Sequence, residues 1–283
     1  MIENKTVFVI GAGIMGSGIA EIVAINGYNC YLYDISDKIL DKAMNDIGNS
    51  IEKLKNKKVL NENKEDILAR IKVTKSLKID SKPSIVIEVA PEKMDIKKSI
   101  FSEIDGYYPD TEILASNTSS LSISEMASVV KMPEKFIGLH FFNPPVLMKL
   151  VEIIPGYVTS YETIEKAKNF VADLKKEVTM SKDYPGFVTS RMLAVIINEA
   201  AWMLYEGIAS KEDIDKAVNL GLNHPMGPLA LADLVGIDTL LHILERLHTG
   251  FGDDKYRPSP VLRNMVYSNR LGRKSGEGFY RYK

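Results

Sequence analysis

A short apolar run, TVFVI at residues 6–10, leads directly into Gly11, Gly13 and Gly16 of GAGIMG, and a helical pattern follows to about Asn26. No other stretch of the chain restricts its fold as strongly. A β-branched run closing on glycine, then a helix, then a second strand-like run, CYLYD, ending at Asp34, makes a βαβ opening. Gly11 permits a tight turn, Gly13 lets backbone approach a pyrophosphate, and Gly16 lets helix and strand pack closely. The helix start, with Ile14 and Met15 in its first turn, offers backbone N–H groups and partial positive charge to phosphates. A carboxylate at Asp34 can accept both adenosine ribose hydroxyls and repel a 2′-phosphate, so the pattern predicts NAD rather than NADP.

Residues 36–70 are charged and helical in period, with a turn at NEN. They are too long for a simple crossover helix and are expected to project as a helical hairpin. Strand-like runs then recur as IKVT, SIVIEVA, EILASN and FIGLHFF, and after a helix at about 161–176 comes the short run EVTMS. Helical patterns between several of these runs argue for a parallel sheet covered on both faces. Beyond Pro185 and Gly186 nearly everything is helical in period: FVTSRMLAVIINEAAWMLYEG, KEDIDKAVNLG and LADLVGIDTLLHILERLHTG each read as one helix. The expected fold is therefore α/β. A Rossmann-like, doubly wound, mostly parallel sheet with a projecting helical arm spans residues 1–184, and an all-helical domain spans 185–283.

Of the 283 residues, 36 are Lys or Arg and 37 Asp or Glu, for a net charge of −1. No global field recruits nucleic acid or an anionic membrane, so any anionic ligand needs a local site. Glu3 and the glycine loop interrupt the apolar N-terminus, and no apolar run reaches the roughly 18 to 20 residues of a membrane span. The single cysteine, Cys30, has no internal disulfide partner and lies in a strand-like run, which favours a reducing, cytoplasmic setting. His224, His242 and His248 read as structural or solvated, Trp202, Tyr205 and the nearby methionines as core, and no cluster has metal-ligand spacing.

The stretch FIGLHFFNPPVLMKLVEIIP puts His140 at a strand end, where ligands of doubly wound sheets gather. A histidine beside two phenylalanines also fits a core role. Asn143 and the Pro144–Pro145 pair form a turn from which the chain can return and bring Glu152 to the imidazole. A carboxylate on one ring nitrogen fixes the tautomer and leaves the other to accept a proton from an alcohol.

The motifs GLHFFNPP…KLVEII, ASNTSSLSI, KDYPGFV and GRKSGEGFY, spread over nearly the whole chain to Lys283, closely resemble the L-3-hydroxyacyl-CoA dehydrogenases. The resemblance implies that His140 removes the 3-hydroxyl proton as hydride leaves the same carbon for NAD, and that Glu152 holds the histidine. It implies that Ser119 and Asn143 touch substrate or nicotinamide. It also implies that Asn117, Glu92 and Lys97 lie near the cofactor, and that Ser50 and Lys57 meet CoA. Read without it, Glu92 and Lys97 could be solvated charges, and Lys53, Lys55, Lys57 and Lys58 a solvated helix face. Family members pair through the C-terminal domain, so a homodimer is expected. The chain departs from the family at PGFVTSR, where Ser190 replaces the usual Asn before Arg, so one donor to the substrate oxygen is shorter. The expected activity is interconversion of L-3-hydroxyacyl-CoA and 3-oxoacyl-CoA. Two competing readings are a relative acting on a CoA-free hydroxy acid and a catalytically weakened NAD-binding protein, the latter supported only by Ser190.

Overall fold

The computed structural model describes residues 5–282; Glu3 and Lys283, used above, lie outside the described residues. The chain divides into two compact units, residues 1–183 and 184–283.

The first unit runs β1 (Thr6–Ile10), α1 (Ile14–Ile25), β2 (Asn29–Tyr33), α2 (Asp37–Asn56), α3 (Lys64–Ala69), β3 (Ile71–Thr74), β4 (Ile85–Glu88), α4 (Met94–Tyr107), β5 (Ile113–Ser116), α5 (Ile123–Ala127), β6 (Phe136–Phe141), β7 (Leu150–Pro155), α6 (Tyr161–Asp173) and β8 (Glu177–Met180). The eight strands form one sheet in the order β3-β2-β1-β4-β5-β6-β7-β8. Neighbours are parallel except β6 and β7, which are antiparallel. Strands β1, β4, β5 and β6 are buried along their whole length, because helices leave neither sheet face to water; this is why their sequences run apolar without alternation. The strand order reverses between β1 and β4, so a crevice opens at the carboxyl ends of those strands.

The α2–α3 hairpin is the crossover between β2 and β3. Leu40, Ala43, Ile47 and Ile51 fall at helical spacing on one side of α2 and join the sheet's main core with Ile67 of α3. The lysines occupy the outer part, with Lys53 and Lys57 exposed and Ser50 half-buried.

Glu21 of α1 is buried against this hairpin; one of its oxygens has no hydrogen-bond partner and the carboxyl bonds Ser50. Burial pushes its pKa from the ordinary 4.5 up to about 7, against the opposing pull of Ser50. Between those values the folded chain holds a proton that the unfolded chain has released, so stability falls as pH rises. At about 1.4 kcal/mol per pH unit the loss amounts to about 3 kcal/mol. Glu21→Gln is therefore expected to be more stable than the parent by about 1–3 kcal/mol at pH 8 and little different at pH 4.5. Urea unfolding followed by circular dichroism at both pH values checks this; an equal difference at the two would show that Glu21 does not titrate in this range.

The second unit is helical: α7 (Thr189–Tyr205), α8 (Lys211–Gly221), α9 (Pro228–Val235), α10 (Ile237–Phe251) and α11 (Pro260–Tyr267). Two expectations change here. The segment LADLVGIDTLLHILERLHTG is not one helix. Gly236 takes φ +102°, in the region that favours glycine, and the chain breaks into α9 and α10. The helix α11, a short one begun by Pro260, carries too few turns to show a period. Tyr205 and Met203 are not core residues: they are 58% and 38% exposed, and Trp202 is only partly buried, donating its indole N–H to the Arg257 carbonyl at 3.4 Å. Near the C-terminus Glu277 makes isolated bridges to Gly272 and Arg281.

Candidate active site

At the crevice, α1 begins at Gly13, whose N-cap position makes no side-chain hydrogen bond, and no acid stands in the first turn. Nothing from the cap's own side chain competes for those N–H groups, and the dipole there favours an anion. Gly11 takes φ +112°, and a Cβ at Gly16 would fall 1.7 Å from the Gly11 carbonyl oxygen, so the turn closes only with glycine at both positions. A Cβ at Gly13 would meet nothing within 4 Å, which leaves open space over the loop; Gly13 and Ile14 are exposed and Met15 partly so. Asp34, at the end of β2, accepts the Ala12 N–H at 3.0 Å and the Ser36 N–H at 3.1 Å, which aims the carboxylate beside the glycine loop. These features fit a dinucleotide. The loop and α1 N–H groups would hold the pyrophosphate and Asp34 the adenosine ribose.

The sheet builds the other side. Strands β6 and β7 reverse through Asn143–Pro145, and the antiparallel register sets Glu152 directly opposite His140. Directly paired residues of an antiparallel ladder share a face. His140 Nδ1 lies 2.8 Å from Glu152 Oε2, with His140 largely buried and Glu152 wholly so. The Phe142 ring packs on the imidazole at 4.5 Å between centroids. A buried carboxylate on one ring nitrogen orients the ring and supports an imidazolium, the arrangement of a general base.

Strand β5 ends in the Asn117–Ser120 loop. Asn117 Oδ1 accepts the Phe141 N–H at 2.8 Å, tying this loop to the residue after His140. Glu92 gathers the loop from below: Oε1 accepts from the Thr118 hydroxyl at 2.5 Å, the Ser119 N–H at 3.1 Å and the Ser120 hydroxyl at 3.2 Å. Burial raises the Glu92 pKa, but Lys97 and these donors outweigh it and hold the carboxyl below the usual range. Reading Glu92 and Lys97 as solvated charges is therefore wrong. Lys97 is 1% exposed because its ammonium is enclosed by Glu88, Glu92 and the Ala90 carbonyl. Glu88 was not singled out from the sequence; its one signal is an acid closing the apolar strand SIVIEVA.

The remaining candidates lie on other elements. Asn143 is exposed in the reversal after β6, and Ser50 and Lys57 lie on the α2 hairpin. Ser190 is buried at the start of α7 in the second unit.

Residues 6–184 match the model of the 3-hydroxyacyl-CoA dehydrogenase NAD-binding domain, and residues 186–282 match that family's C-terminal domain. The chain is 46% identical to the probable 3-hydroxybutyryl-CoA dehydrogenase of Deinococcus radiodurans, covering 97% of this chain and 99% of the relative. It is 39% identical to the mitochondrial hydroxyacyl-coenzyme A dehydrogenase of Sus scrofa, over 99% and 91% of the two. The crystal structure of (S)-3-hydroxybutyryl-CoA dehydrogenase from Ralstonia eutropha superposes with a TM-score of 0.95 at 46% identity, covering 99% and 100% of the chains. Both units thus match, in order and over nearly all of their length, and the chain belongs to the 3-hydroxyacyl-CoA dehydrogenase family.

Proposed function

We propose that this NAD-dependent dehydrogenase interconverts L-3-hydroxybutyryl-CoA and acetoacetyl-CoA, with His140 as general base and Glu152 as its orienting partner. The observation that carries the reading is the buried 2.8 Å contact between His140 Nδ1 and Glu152 at the carboxyl edge of the sheet. With Nδ1–H donated to Glu152, Nε2 takes the 3-hydroxyl proton as the C3–H bond breaks and the C3–O bond becomes a carbonyl. NAD, when bound, supplies the acceptor for the hydride that leaves C3. In the reverse direction the imidazolium returns the proton to the oxygen. Ser119, Asn143 and Ser190 are assigned to the substrate oxygen and the nicotinamide, Ser50 and Lys57 to CoA, and Asn117, Glu92 and Lys97 to the cofactor side of the pocket.

The split 1–184 and 185–283 is proposed to separate NAD binding from substrate binding and dimerisation. Met192, Val195, Met203 and Tyr205 are all exposed on α7, an apolar set that a second copy would cover. No described helix is long and apolar enough to cross a membrane. The buried, lone Cys30 supports the cytoplasm as the site of action.

NADH oxidation with acetoacetyl-CoA, measured beside acetoacetate, tests the reading. Turnover of the thioester alone is expected. Turnover of only the free acid would mean a CoA-free substrate, and NADH binding without turnover of either would mean a binding protein. Because the family resemblance implies a longer amide donor where Ser190 stands, Ser190→Asn is expected to leave kcat equal or raise it by up to about tenfold. A tenfold fall in turnover of acetoacetyl-CoA would give position 190 another role.

A further inference from the structure

Beneath the Asn117–Ser120 loop lies a charged cluster whose innermost member, Glu88, has no role in the reaction scheme. Glu88, the last residue of β4, has no solvent exposure. Its Oε1 accepts the Ala90 N–H at 2.6 Å and the Lys97 ammonium at 2.8 Å; its Oε2 accepts Lys97 again at 2.9 Å and the Ser116 hydroxyl at 2.6 Å. The same ammonium reaches Glu92 at 3.4 Å. Glu92 in turn holds Thr118, Ser119 and Ser120.

Burying the Glu88 and Lys97 charges, with Glu92 half-buried beside them, is costly, and an apolar cluster of similar volume often serves stability equally well. A buried charge cluster is better suited to fixing one geometry than to adding stability. Here the geometry concerned is that of Glu92 and, through it, of the loop carrying Ser119. The cluster also reaches the base, because Asn117 hydrogen-bonds both ways: its N–H donates to the Glu88 carbonyl at 2.9 Å and its side-chain oxygen accepts the Phe141 N–H.

We propose that Glu88 is a positioning residue for the dehydrogenation: it shares the Lys97 ammonium, so that Glu92 stays on the serine loop instead of closing onto the lysine. The inference rests on the assignment of Ser119 and Glu92 to the reaction pocket made above. Without the Glu88 charge, Lys97 keeps Glu92 as its one carboxylate partner in the cluster and draws it down, and the loop loses a shared acceptor for three donors. Small displacements of positioning groups cost up to about a hundredfold in rate.

The test is a double-mutant cycle on the full-length enzyme with Glu88→Gln, Lys97→Met and the pair together, read as kcat, KM for NADH and melting temperature. Glu88→Gln is expected to lower kcat or raise the NADH KM by roughly tenfold or more, and Glu88→Asp to recover part of the loss. In the Lys97→Met background the further cost of Glu88→Gln is expected to shrink to less than about threefold, since no ammonium remains to withdraw Glu92. The double variant, in which both buried charges are replaced by neutral side chains, keeps the question answerable should Glu88→Gln alone fold poorly. Equal cost of Glu88→Gln in both backgrounds would overturn the proposal, as would a fall in melting temperature with kcat and KM unchanged. Ser119→Ala, measured in parallel, separates the two readings. If it has no effect, the assignment of Ser119 fails. If it slows turnover while Glu88→Gln does not, the positioning role alone is lost.

Discussion

His140→Gln is expected to lower kcat with acetoacetyl-CoA by about 10² to 10⁴-fold while leaving NADH affinity within about a factor of three, because only the proton transfer is removed. The imidazole is held on Glu152 at 2.8 Å and lies at the carboxyl end of β6, whereas the dinucleotide loop is built from β1, α1 and β2. Glutamine can still donate an amide hydrogen to the buried Glu152 carboxylate, so the variant avoids a bare buried charge, whose exposure to an apolar wall would cost several kcal/mol. It cannot act as a base near neutral pH. Residual turnover would come from orientation and from the donors around the substrate oxygen. Glu152→Gln is expected to act in the same direction, because an amide can favour the wrong imidazole tautomer. Stopped-flow NADH oxidation, with NADH binding measured by fluorescence, checks both. A kcat within tenfold of the parent for His140→Gln would remove the histidine from the chemistry.

Asp233→Ala is expected to destabilise the second unit by about 3–5 kcal/mol, the largest stability loss among the single substitutions considered. Asp233 is 1% exposed, and its carboxylate accepts the Phe279 N–H at 2.8 Å, the Tyr280 N–H at 2.8 Å and the Tyr282 hydroxyl at 2.9 Å. Two glycines of GRKSGEGFY close against the same residue. A Cβ at Gly278 would fall 1.9 Å from an Asp233 oxygen, and one at Gly272 2.4 Å from its carbonyl. Alanine leaves three donors without their acceptor, at about 1–3 kcal/mol each for those that water cannot reach. Asn, which keeps one acceptor oxygen, is expected to fall between. Urea unfolding and proteolysis of the C-terminal segment measure the effect; a loss under about 1 kcal/mol would show that water replaces the carboxylate.

The parts of this fold legible in the sequence are those decided by neighbours along the chain. The glycine turn of β1 and α1, the buried strand runs and the amphipathic α2 follow from local sterics and period, and each is where its residues put it. The single reading of α9 and α10 failed because one glycine at φ +102° breaks a pattern whose apolar period continues across it. The short α11 offered too few residues for periodicity, and the exposure of Tyr205 could not be read from α7, where apolar residues also occupy the outward side.

The candidate site divides the same way. His140, Glu152, Ser119 and Glu92 could be picked out as residue types in quoted motifs, and Asp34 as the acid that ends a strand. The turn at Asn143–Pro145 already pointed Glu152 back towards His140, but the strand register of that pair and the placement of Ser119 and Glu92 depend on backbone pairing between distant segments. Glu88 and Lys97, nine residues apart, look like a strand terminus and a helix charge until β4, α4 and β5 enclose them. What the sequence by itself determined is the βαβ start, most of the run of strands and helices and the nucleotide loop, all set by short-range sterics and hydrophobic period. Tertiary structure alone decided the register that sets Glu152 directly opposite His140, and that one ammonium is shared by two acids under the serine loop. Strand register and buried charge pairing are set by the whole sheet closing at once, which no local stretch of chain encodes.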